Sequence, residues 1–347
     1  MTRYIRGIYA PSVGARWSNE DMFAAIAERF EKSEIAEAKK TSLLEFNRLL
    51  LIGNRDRYVQ HERFLWMDSF AEHAAAFEAS VEQSIAKICK ELEANPPSQP
   101  FDAVLGVSNG GQILPGIAER TASRLKQLVA RTAIQIDIGN GGCTASTRAI
   151  QLAGNFVPEI QNILVIAIEA ASTLADPKSE SRSNWQGVCT FGDGAAAVWI
   201  SDQADEGSVS LQKLVSWMGE ERDLIRWDWG NDYYRFAIDD LSQFETKVRH
   251  EISDAMKELP AGEYGKASWA IHPAGIMLLL SLAKHLGLQR SALEPSIRHF
   301  RACSNMSSVS ILHILKEVIS KAVAGQQIRW LTMGAGFQVA SGMGTKL

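Results

Sequence analysis

Several features that mark other classes of protein are scarce or absent in this sequence of 347 residues. Its four cysteines are widely spaced and form no CxxC pair, which argues against a zinc site or a disulfide framework. No apolar run approaches the roughly 18 residues of a membrane helix, and the N-terminus lacks the apolar core of a signal peptide. The chain has 36 lysines and arginines against 40 aspartates and glutamates. It therefore lacks the excess of positive charge that is typical of a nucleic-acid-binding protein. We therefore expect a cytoplasmic protein with free thiols, no bound metal, and neither membrane nor nucleic acid as a partner.

What the sequence does contain is an alternation of strand-like and helix-like segments. Hydrophobic residues make up 46% of the chain, which is ample for two domains or one large duplicated domain. Both halves alternate strand and helix patterns, which favours an α/β fold. A similar order of strand, helix and glycine turn in each half indicates duplication, with halves at 1–204 and 205–347. We also predict a strand pair over 187–201 and a long helix over 236–259.

The stretch DIGNGGCTASTRAI, residues 137–150, places Cys143 between glycines and the start of a predicted helix. The N–H groups at a helix N-terminus favour a thiolate and can hold an oxyanion beside the sulfur. A nucleophile is one interpretation. The other is a small buried side chain that fills a tight turn, because free cysteine is among the most buried residue types.

Two further residues have both a chemical and a structural interpretation. His272 follows a predicted strand and precedes a proline, at the kind of strand end where α/β sites are built. A lone histidine there is also compatible with a purely structural role. Asn305 begins a predicted helix, where an N-cap is the simplest role for asparagine. His285, His299 and His313 lie on helical segments, and we expect them to face solvent or to make local bonds.

The order of short motifs along the chain distinguishes these alternatives. GGCTAS, FGDGAAA, AIHPAG, CSNMSS and the terminal GAG at 334–336 follow one another in that order. Together they resemble the thiolase-fold condensing enzymes, and more narrowly ketoacyl synthase III and the chalcone-synthase-type (type III) polyketide synthases. The turn GNRDRYVQ is similar to a Gly-Ile-x-x-Arg turn of ketoacyl synthase III. This resemblance implies a duplicated, five-layered α-β-α-β-α fold and a homodimer.

The same resemblance implies a mechanism. Cys143 attacks an acyl thioester of coenzyme A or of an acyl carrier protein, and an acyl-enzyme forms. Its backbone N–H and the terminal turn of Gly334 and Gly336 hold the oxyanion of that step. His272 and Asn305 hold the thioester carbonyl of a malonyl-type extender, whose decarboxylation gives the attacking enolate. The substrates are therefore acyl and malonyl thioesters, and no permanently bound cofactor is expected.

Other residues of these motifs receive structural roles. Glu169 matches an acidic residue of the family and is expected to brace the loops near the cysteine, and Asp193 is expected to shape a turn. Ser307 and Ser308 are expected to cap a helix and pack. Ser304 is a departure, because the family usually has glycine before the asparagine.

Two other functions stay open at the level of the sequence. An acyltransferase of the same fold would use Cys143 and His272 without decarboxylation, although the presence of Asn305 counts against it. A silent subunit of a heterodimer has no physical need for all three residues. The segment 218–234, rich in tryptophan and tyrosine, either lines an acyl tunnel, contacts another protein or covers the surface as a loop.

Overall fold

The computed structural model describes residues 2–220, 223–229, 232, 234–238, 243, 246–247, 250–251, 253 and 264–347. Within these ranges no helix has the length and apolar character needed to cross a membrane.

Strands and helices alternate along the chain. The strands are β1 (Arg3–Tyr9), β2 (Ala15–Ser18), β3 (Asp56–Val59), β4 (Phe101–Ser108), β5 (Val129–Gly139), β6 (Asn162–Glu169), β7 (Gly194–Ser201), β8 (Val209–Met218), β9 (Ile225–Trp229), β10 (Tyr234–Ile238), β11 (Ser268–Ile271), β12 (Gln327–Gly334) and β13 (Gln338–Lys346). The helices are α1 (Asn19–Glu31), α2 (Glu37–Leu50), α3 (Phe70–Ala94), α4 (Ile117–Arg124), α5 (Ala145–Gly154), α6 (Arg182–Thr190), α7 (Ile276–His285), α8 (Glu294–Cys303) and α9 (Ser310–Lys321).

The main sheet repeats one arrangement on either side of its centre. Its strand order in the described residues is β11-β12-β13-β8-β1-β7-β6-β4-β5. The antiparallel pair β1 and β8 lies in the middle. Outwards from β8, the pairings with β13 and then β12 are antiparallel and the next, with β11, is parallel. Outwards from β1, the pairings with β7 and then β6 are antiparallel and the next, with β4, is parallel. This repetition agrees with a duplicated chain. We propose that its halves meet in the connection between β7 and β8, which contains the predicted division at 204 and 205.

Five layers follow from where the apolar side chains are buried. Helices α5 and α9 pack in a central cluster that contains side chains from strands of both halves. Helices α3 and α4 cover the other face of the first half of the sheet. Helices α7 and α8 cover that of the second half. Because helices cover both faces, β6 and β7 are buried at every position, which explains their continuous apolar runs NILVIAIE and GAAAVWIS.

A fourth apolar cluster lies outside this layered core and involves α1, α2, β3 and α6. Ser18 and Asp21 form a capping box at the start of α1. Arg57 on β3 is fully buried and donates to the carbonyl oxygens of Val188, Cys189 and Phe191. It therefore ties the polar turn that resembles the Gly-Ile-x-x-Arg motif to the C-terminal end of α6.

Two predicted elements differ from the structure. Residues 187–190 end helix α6, so the predicted strand pair over 187–201 is wrong and only β7 is a strand there. The apolar residues at the end of α6 face the fourth cluster, and a short apolar run does not by itself distinguish a helix from a strand. The helix predicted over 236–259 begins with residues that belong to β10, and most of its remainder lies outside the described residues.

Candidate active site

A cavity of about 390 Å³ opens at the end of β5 and β12. Cys143, Glu169, Asp193, Asn305 and the terminal turn at 334–336 all contribute to its lining. These residues are separated by up to 193 positions in the sequence, from 143 to 336. The fold therefore brings most of the predicted site residues to one place, and apolar side chains form much of the remaining wall.

Cys143 lies in the short 3-10 turn Gly142–Thr144 that leads into α5. Gly142 has a φ of 61°, a conformation that glycine adopts without steric cost. A Cβ atom on Gly334 would lie 2.6 Å from the backbone nitrogen of Cys143. Glycine at 334 thus allows the last turn of the chain to reach the backbone of the cysteine, where two sets of N–H groups can converge on one oxygen atom.

The sulfur of Cys143 faces one hydroxyl group. Ser307 Oγ lies 3.6 Å from Cys143 Sγ, and Ser307 has a φ of 49° in the left-handed region. Burial raises the pKa of Cys143 to about 12, although the Ser307 hydroxyl and the cysteine's own N–H lower it. The resting group at neutral pH is therefore the thiol, and its proton must leave as the sulfur reacts.

A buried hydrogen-bond network runs behind Ser307. The side-chain amide of Asn109 donates to Ser307 Oγ at 3.1 Å, to the carbonyl of Gly142 at 3.1 Å and to the carboxyl of Glu169. The backbone N–H of Asn109 and the hydroxyl of Ser308 also donate to Glu169. Burial raises the pKa of Glu169 to about 7. The carboxyl of Glu169 thus links the loop after β4 to the turn around Ser307 and Ser308.

Asn305 has a capping bond and also faces the cavity. Its Oδ1 accepts the backbone N–H of Ser307 at 2.8 Å, which is the local bond expected of asparagine at a helix start. Its side-chain NH₂ therefore remains to donate toward the cavity that the residue lines. The capping interpretation and a binding role are compatible, because they use different atoms of one amide.

Ser304 fixes the backbone that precedes Asn305. Its φ of 61° and ψ of −153° lie in a region that essentially only glycine occupies. Its hydroxyl donates to the carbonyl oxygen of Thr190 at 2.6 Å, and the N–H of Asn305 donates to the same oxygen at 3.2 Å. Gly192 N–H donates in return to the carbonyl of Asn305. Ser304 thus keeps the turn that glycine usually forms, and its hydroxyl adds one hydrogen bond to the cavity wall.

His272 follows β11 and is fully buried, and it is not among the residues that line the cavity. The backbone N–H of His272 donates to the carbonyl oxygen of Leu331 on β12, the strand that ends at Gly334. Burial lowers the pKa of its imidazole to about 3, so the ring is neutral at neutral pH. Neither ring nitrogen has a hydrogen-bond partner among the residues that the structure describes. The neighbouring Ala274 lines the cavity.

Two other histidines make hydrogen-bond contacts, which is one of the two alternatives expected for them. His299 is buried and His313 is half-buried, with ring centroids 5.6 Å apart. His299 contacts the hydroxyl of Ser310, and His313 contacts the carbonyl of Ala195. Both helices are packed against the sheet on the face that carries these residues. In the described part of the chain no group of three His, Cys, Asp or Glu residues has the arrangement of a metal site.

Asp193 is bound on all sides by donors. It accepts the backbone N–H groups of Gln60 and Ser172 and the hydroxyl of Ser172. Burial raises the pKa of this carboxyl, while these bonds oppose the shift. Asp193 thus joins the loop after β3 to the loop after β6, which agrees with a structural interpretation.

The sequence did not point to Asn109, and it gave Ser307 a role in capping a helix and in packing. Ser307 lies beside the sulfur and lines the cavity, whereas Ser308 packs through its bond to Glu169. The one available signal for Asn109 was a polar residue after a largely buried strand, which is where α/β sites are built.

The aromatic-rich segment 218–234 contributes to the cavity. Its strand β9 pairs with β10, which begins at residue 234, and Ile225, Arg226 and Trp227 of the segment line the cavity. The Trp227 ring lies 5.9 Å between centroids from that of Phe236, a cavity-lining residue that follows the segment. The Trp227 indole N–H donates to the backbone carbonyl of Asn109. The interpretation as a lining segment is thereby supported for its described residues.

We predict that Ser304→Gly is more stable than Ser304→Ala by about 1–2 kcal/mol. Both variants lose the bond to Thr190, but only glycine removes the cost of the positive φ. The comparison is made by urea unfolding of both variants. Equal stability, or greater stability of the alanine variant, would contradict a strained backbone at this position.

We also predict a pH-dependent difference between the wild type and Glu169→Gln. The folded-state pKa of Glu169 is about 7, above its ordinary value of 4.5, so ionisation of this carboxyl destabilises the fold as pH rises between these values. Relative to the wild type, the glutamine variant should gain stability over that interval and show a constant difference above and below it. Urea unfolding at pH 4.5 to 8 measures this, and a difference independent of pH would disprove the shift.

Comparisons with known proteins agree with the geometry. Residues 234–346 match the C-terminal domain of chalcone and stilbene synthases. Residues 136–216 match 3-oxoacyl-[acyl-carrier-protein] synthase III. A chalcone synthase-type protein of Bacillus subtilis (strain 168) is 24% identical over 70% of this chain and 69% of its own length.

Solved structures share the fold over the whole chain. For 1,3,6,8-tetrahydroxynaphthalene synthase of Streptomyces coelicolor A3(2), the TM-score is 0.85 at 22% identity, covering 99% of both chains. For CsyB in complex with CoA-SH, the TM-score is 0.82 at 18% identity, covering 99% of this chain and 100% of the other. The expected α/β thiolase fold is confirmed. The chain is thus similar to the thiolase-fold condensing enzymes, and its residues 234–346 are similar to the chalcone synthase-type (type III) polyketide synthases.

Proposed function

We propose that Cys143 carries the acyl group in a decarboxylating Claisen condensation, the reaction of the enzymes that its motifs resemble. The observation that supports this assignment best is the shared cavity. It is lined by the nucleophile, by the amide of Asn305 and by the glycine turn at 334–336. A thioester bound there meets a thiol and two sets of neutral hydrogen-bond donors at once.

In the first step, the sulfur of Cys143 attacks the carbonyl carbon of an acyl thioester. The carbon–sulfur bond to the carrier breaks, and the leaving thiolate takes up a proton, so that the cysteine proton is replaced by the acyl group. The negative charge on the carbonyl oxygen is held by the N–H of Cys143 and the turn containing Gly334 and Gly336. The thiol is the resting form, and its proton leaves as the new carbon–sulfur bond forms and passes to the departing thiolate.

In the second step, a malonyl thioester loses CO₂. The electron pair of the broken carbon–carbon bond moves into an enolate, and its oxygen receives hydrogen bonds from His272 and the NH₂ group of Asn305. The enolate carbon attacks the acyl group on Cys143, the bond to sulfur breaks, and the released thiolate takes up one proton from solvent to restore the thiol. The neutral state of His272 suits this role, since a buried neutral ring provides an N–H group without a charge.

We propose coenzyme A thioesters as the substrates. The related CsyB structure contains CoA-SH, and that fold matches this chain from end to end. Acyl carrier protein is the other carrier that the motifs allow, and it forms a second arm of the test. The mechanism needs Cys143 as a free thiol, which is compatible with a reducing, cytoplasmic setting.

We further propose a homodimer formed along β5. This strand is eleven residues long, lies at the edge of the main sheet and is largely exposed. Leu114, in the loop after β4, is 92% exposed, and Ile134 on β5 is also exposed. An edge of this length exposes unpaired backbone groups, which a second copy of the same strand could pair.

The direct test is incubation of the protein with a series of acyl-CoA esters, followed by intact-mass measurement of Cys143 and then addition of malonyl-CoA with measurement of CO₂. The same series on an acyl carrier protein compares the carriers. Acylation without CO₂ release would indicate the non-decarboxylating acyltransferase. No acylation by any ester would indicate a silent subunit. Cys143→Ala is the negative control.

Asn305→Ala should separate the two steps. We expect CO₂ release to fall by about 10²–10³, the usual loss for one oxyanion donor, while self-acylation changes by less than about threefold. Asn155→Ala, at an exposed asparagine after α5, serves as the matched control. Equal losses in both steps would contradict the assigned role of Asn305.

The dimer is tested by Leu114→Glu and Ile134→Glu, singly and combined. Light scattering after gel filtration should show a dimer for the wild type and a shift toward monomer in the double variant, because two charges at an apolar contact oppose association. Leu49→Glu, at a position 68% exposed on α2, is the control. A monomeric wild type would exclude the homodimer.

A further inference from the structure

The turn at residues 305–307 carries two side chains of the site and is held from outside the cavity. Asn305 lines the cavity, and Ser307 lies beside the sulfur of Cys143. Between them, the backbone N–H of Met306 donates to the hydroxyl oxygen of Ser310 at 2.8 Å. Ser310 is the first residue of α9, is fully buried and does not line the cavity.

The orientation of the Asn305 amide depends on this turn. Its Oδ1 accepts the backbone N–H of Ser307, so the direction of its NH₂ group follows the position of that N–H. Ser307 has a φ of 49°, a costly conformation that persists only where the surrounding structure fixes it. The bond from Met306 to Ser310 supplies such a constraint on the residue directly before Ser307.

A histidine binds the hydroxyl group of Ser310. His299, on α8, is buried, and its Nε2 lies 3.1 Å from Ser310 Oγ. The serine oxygen accepts the N–H of Met306, so its single proton is available for donation, and Nε2 of a neutral imidazole can accept it. A continuous line of hydrogen bonds then runs from Met306 through Ser310 to His299.

The surroundings keep the imidazole of His299 neutral, as this arrangement requires. Burial lowers its pKa well below the ordinary value, and the neighbouring rings of His313 and His272 act in the same direction. A charged ring would have a proton on both nitrogens and could accept nothing from Ser310. The neutral ring accepts the hydroxyl proton, and each bond of such a line strengthens the next.

Without an acceptor at position 299, the hydroxyl of Ser310 has a competing partner. A helical serine can donate to the carbonyl four residues earlier, which for Ser310 belongs to Met306 itself. In that orientation, the serine oxygen would turn away from the N–H of Met306. The turn would then lose the bond that constrains Ser307 and, through it, the amide of Asn305.

We propose that His299 is a positioning residue for the condensation. By accepting the hydroxyl proton of Ser310, it keeps the serine oxygen directed at Met306 and so aims the NH₂ group of Asn305 at the enolate oxygen. His299 does not line the cavity, so it acts on the reaction only through the turn. This proposal rests on the proposed function of Asn305 in the loss of CO₂.

The first test compares three substitutions of His299. His299→Leu should lower the kcat for CO₂ release from malonyl-CoA about tenfold, the equivalent of one buried hydrogen bond. Acylation of Cys143 should change by less than about threefold, because the cysteine and the turn at 334–336 lie on other elements. His299→Gln places an amide oxygen near the position of Nε2 and should restore the rate to within about threefold of the wild type. His299→Asn reaches only the position of Nδ1 and should not restore it.

The other histidine of the pair provides the matched control. His313 lies on α9 with its ring 5.6 Å from that of His299, but its Nε2 contacts the carbonyl of Ala195 instead of the turn. His313→Leu should change CO₂ release by less than about threefold. The thermal midpoint of each variant is measured alongside, and a fall in CO₂ release confined to the variants at 299 separates positioning from a general loss of stability.

A double-mutant cycle tests whether His299 acts through Asn305. In the Asn305→Ala background, His299→Leu should cause no further loss of CO₂ release, because there is no amide left to aim. If the two losses multiply, His299 acts by another route, such as its neighbour His272, and the proposal is overturned.

The hydrogen bond itself is measured without any turnover. Isotope-edited NMR of protein labelled in its histidines distinguishes a protonated ring nitrogen from an unprotonated one, and the His299 signal is identified by its absence in His299→Gln. At neutral pH we expect the proton on Nδ1 and none on Nε2. A proton on Nε2 would contradict the proposed direction of the bond.

Further outcomes separate this inference from the function on which it rests. Equal losses in His299→Leu and His313→Leu, or in His299→Leu and His299→Gln, overturn the positioning role while the wild type still releases CO₂. Acylation of the wild type without CO₂ release would instead refute the proposed function of Asn305 and the positioning role with it.

Discussion

The site depends on one close backbone contact between the two halves of the chain. The turn that joins β12 to β13 packs so tightly on the start of α5 that a Cβ at Gly334 would come within 2.6 Å of the Cys143 nitrogen. Gly142 meets Ala335 in the same way from the other side. Cys143 comes from the first half of the chain and this turn from the second, so the repeated sheet must form before the two can meet.

Around that contact the structure retains several features that a stable core alone would not require. Ser304 and Ser307 adopt backbone conformations that are costly for residues with a Cβ, and the buried Glu169 has a raised pKa. His272 is buried without a partner for either ring nitrogen within the described ranges. Such features persist where the surrounding structure fixes them, and they concentrate at reactive sites. The layered core, with its fully buried β6 and β7, provides the rigid support that holds them.

The motifs and the architecture were accessible from the sequence to different degrees. Short segments in a fixed order pointed to Cys143, Asn305 and the terminal glycine turn, and the resemblance pointed to Glu169; the structure places these residues at one cavity. The end of α6 was predicted wrongly, and the sequence left open whether His299 faces solvent or is bonded. Local patterns report the period of apolar residues, whereas helix or strand in a short apolar run, and burial of a single histidine, depend on distant neighbours.

The sequence by itself determined the alternation of strands and helices, the motif order and the residue types capable of acyl chemistry. Only the tertiary structure revealed that Ser307 lies beside the sulfur and that Asn109 is bonded to Ser307. It also revealed the hydrogen bond from Ser304 to Thr190 and the extent of the cavity. The reason is physical. Residue types and their spacing determine the local conformation and the kinds of chemistry that the side chains can support. Contacts between residues more than a hundred positions apart form only when the layers pack. Those contacts decide which polar atoms face each other.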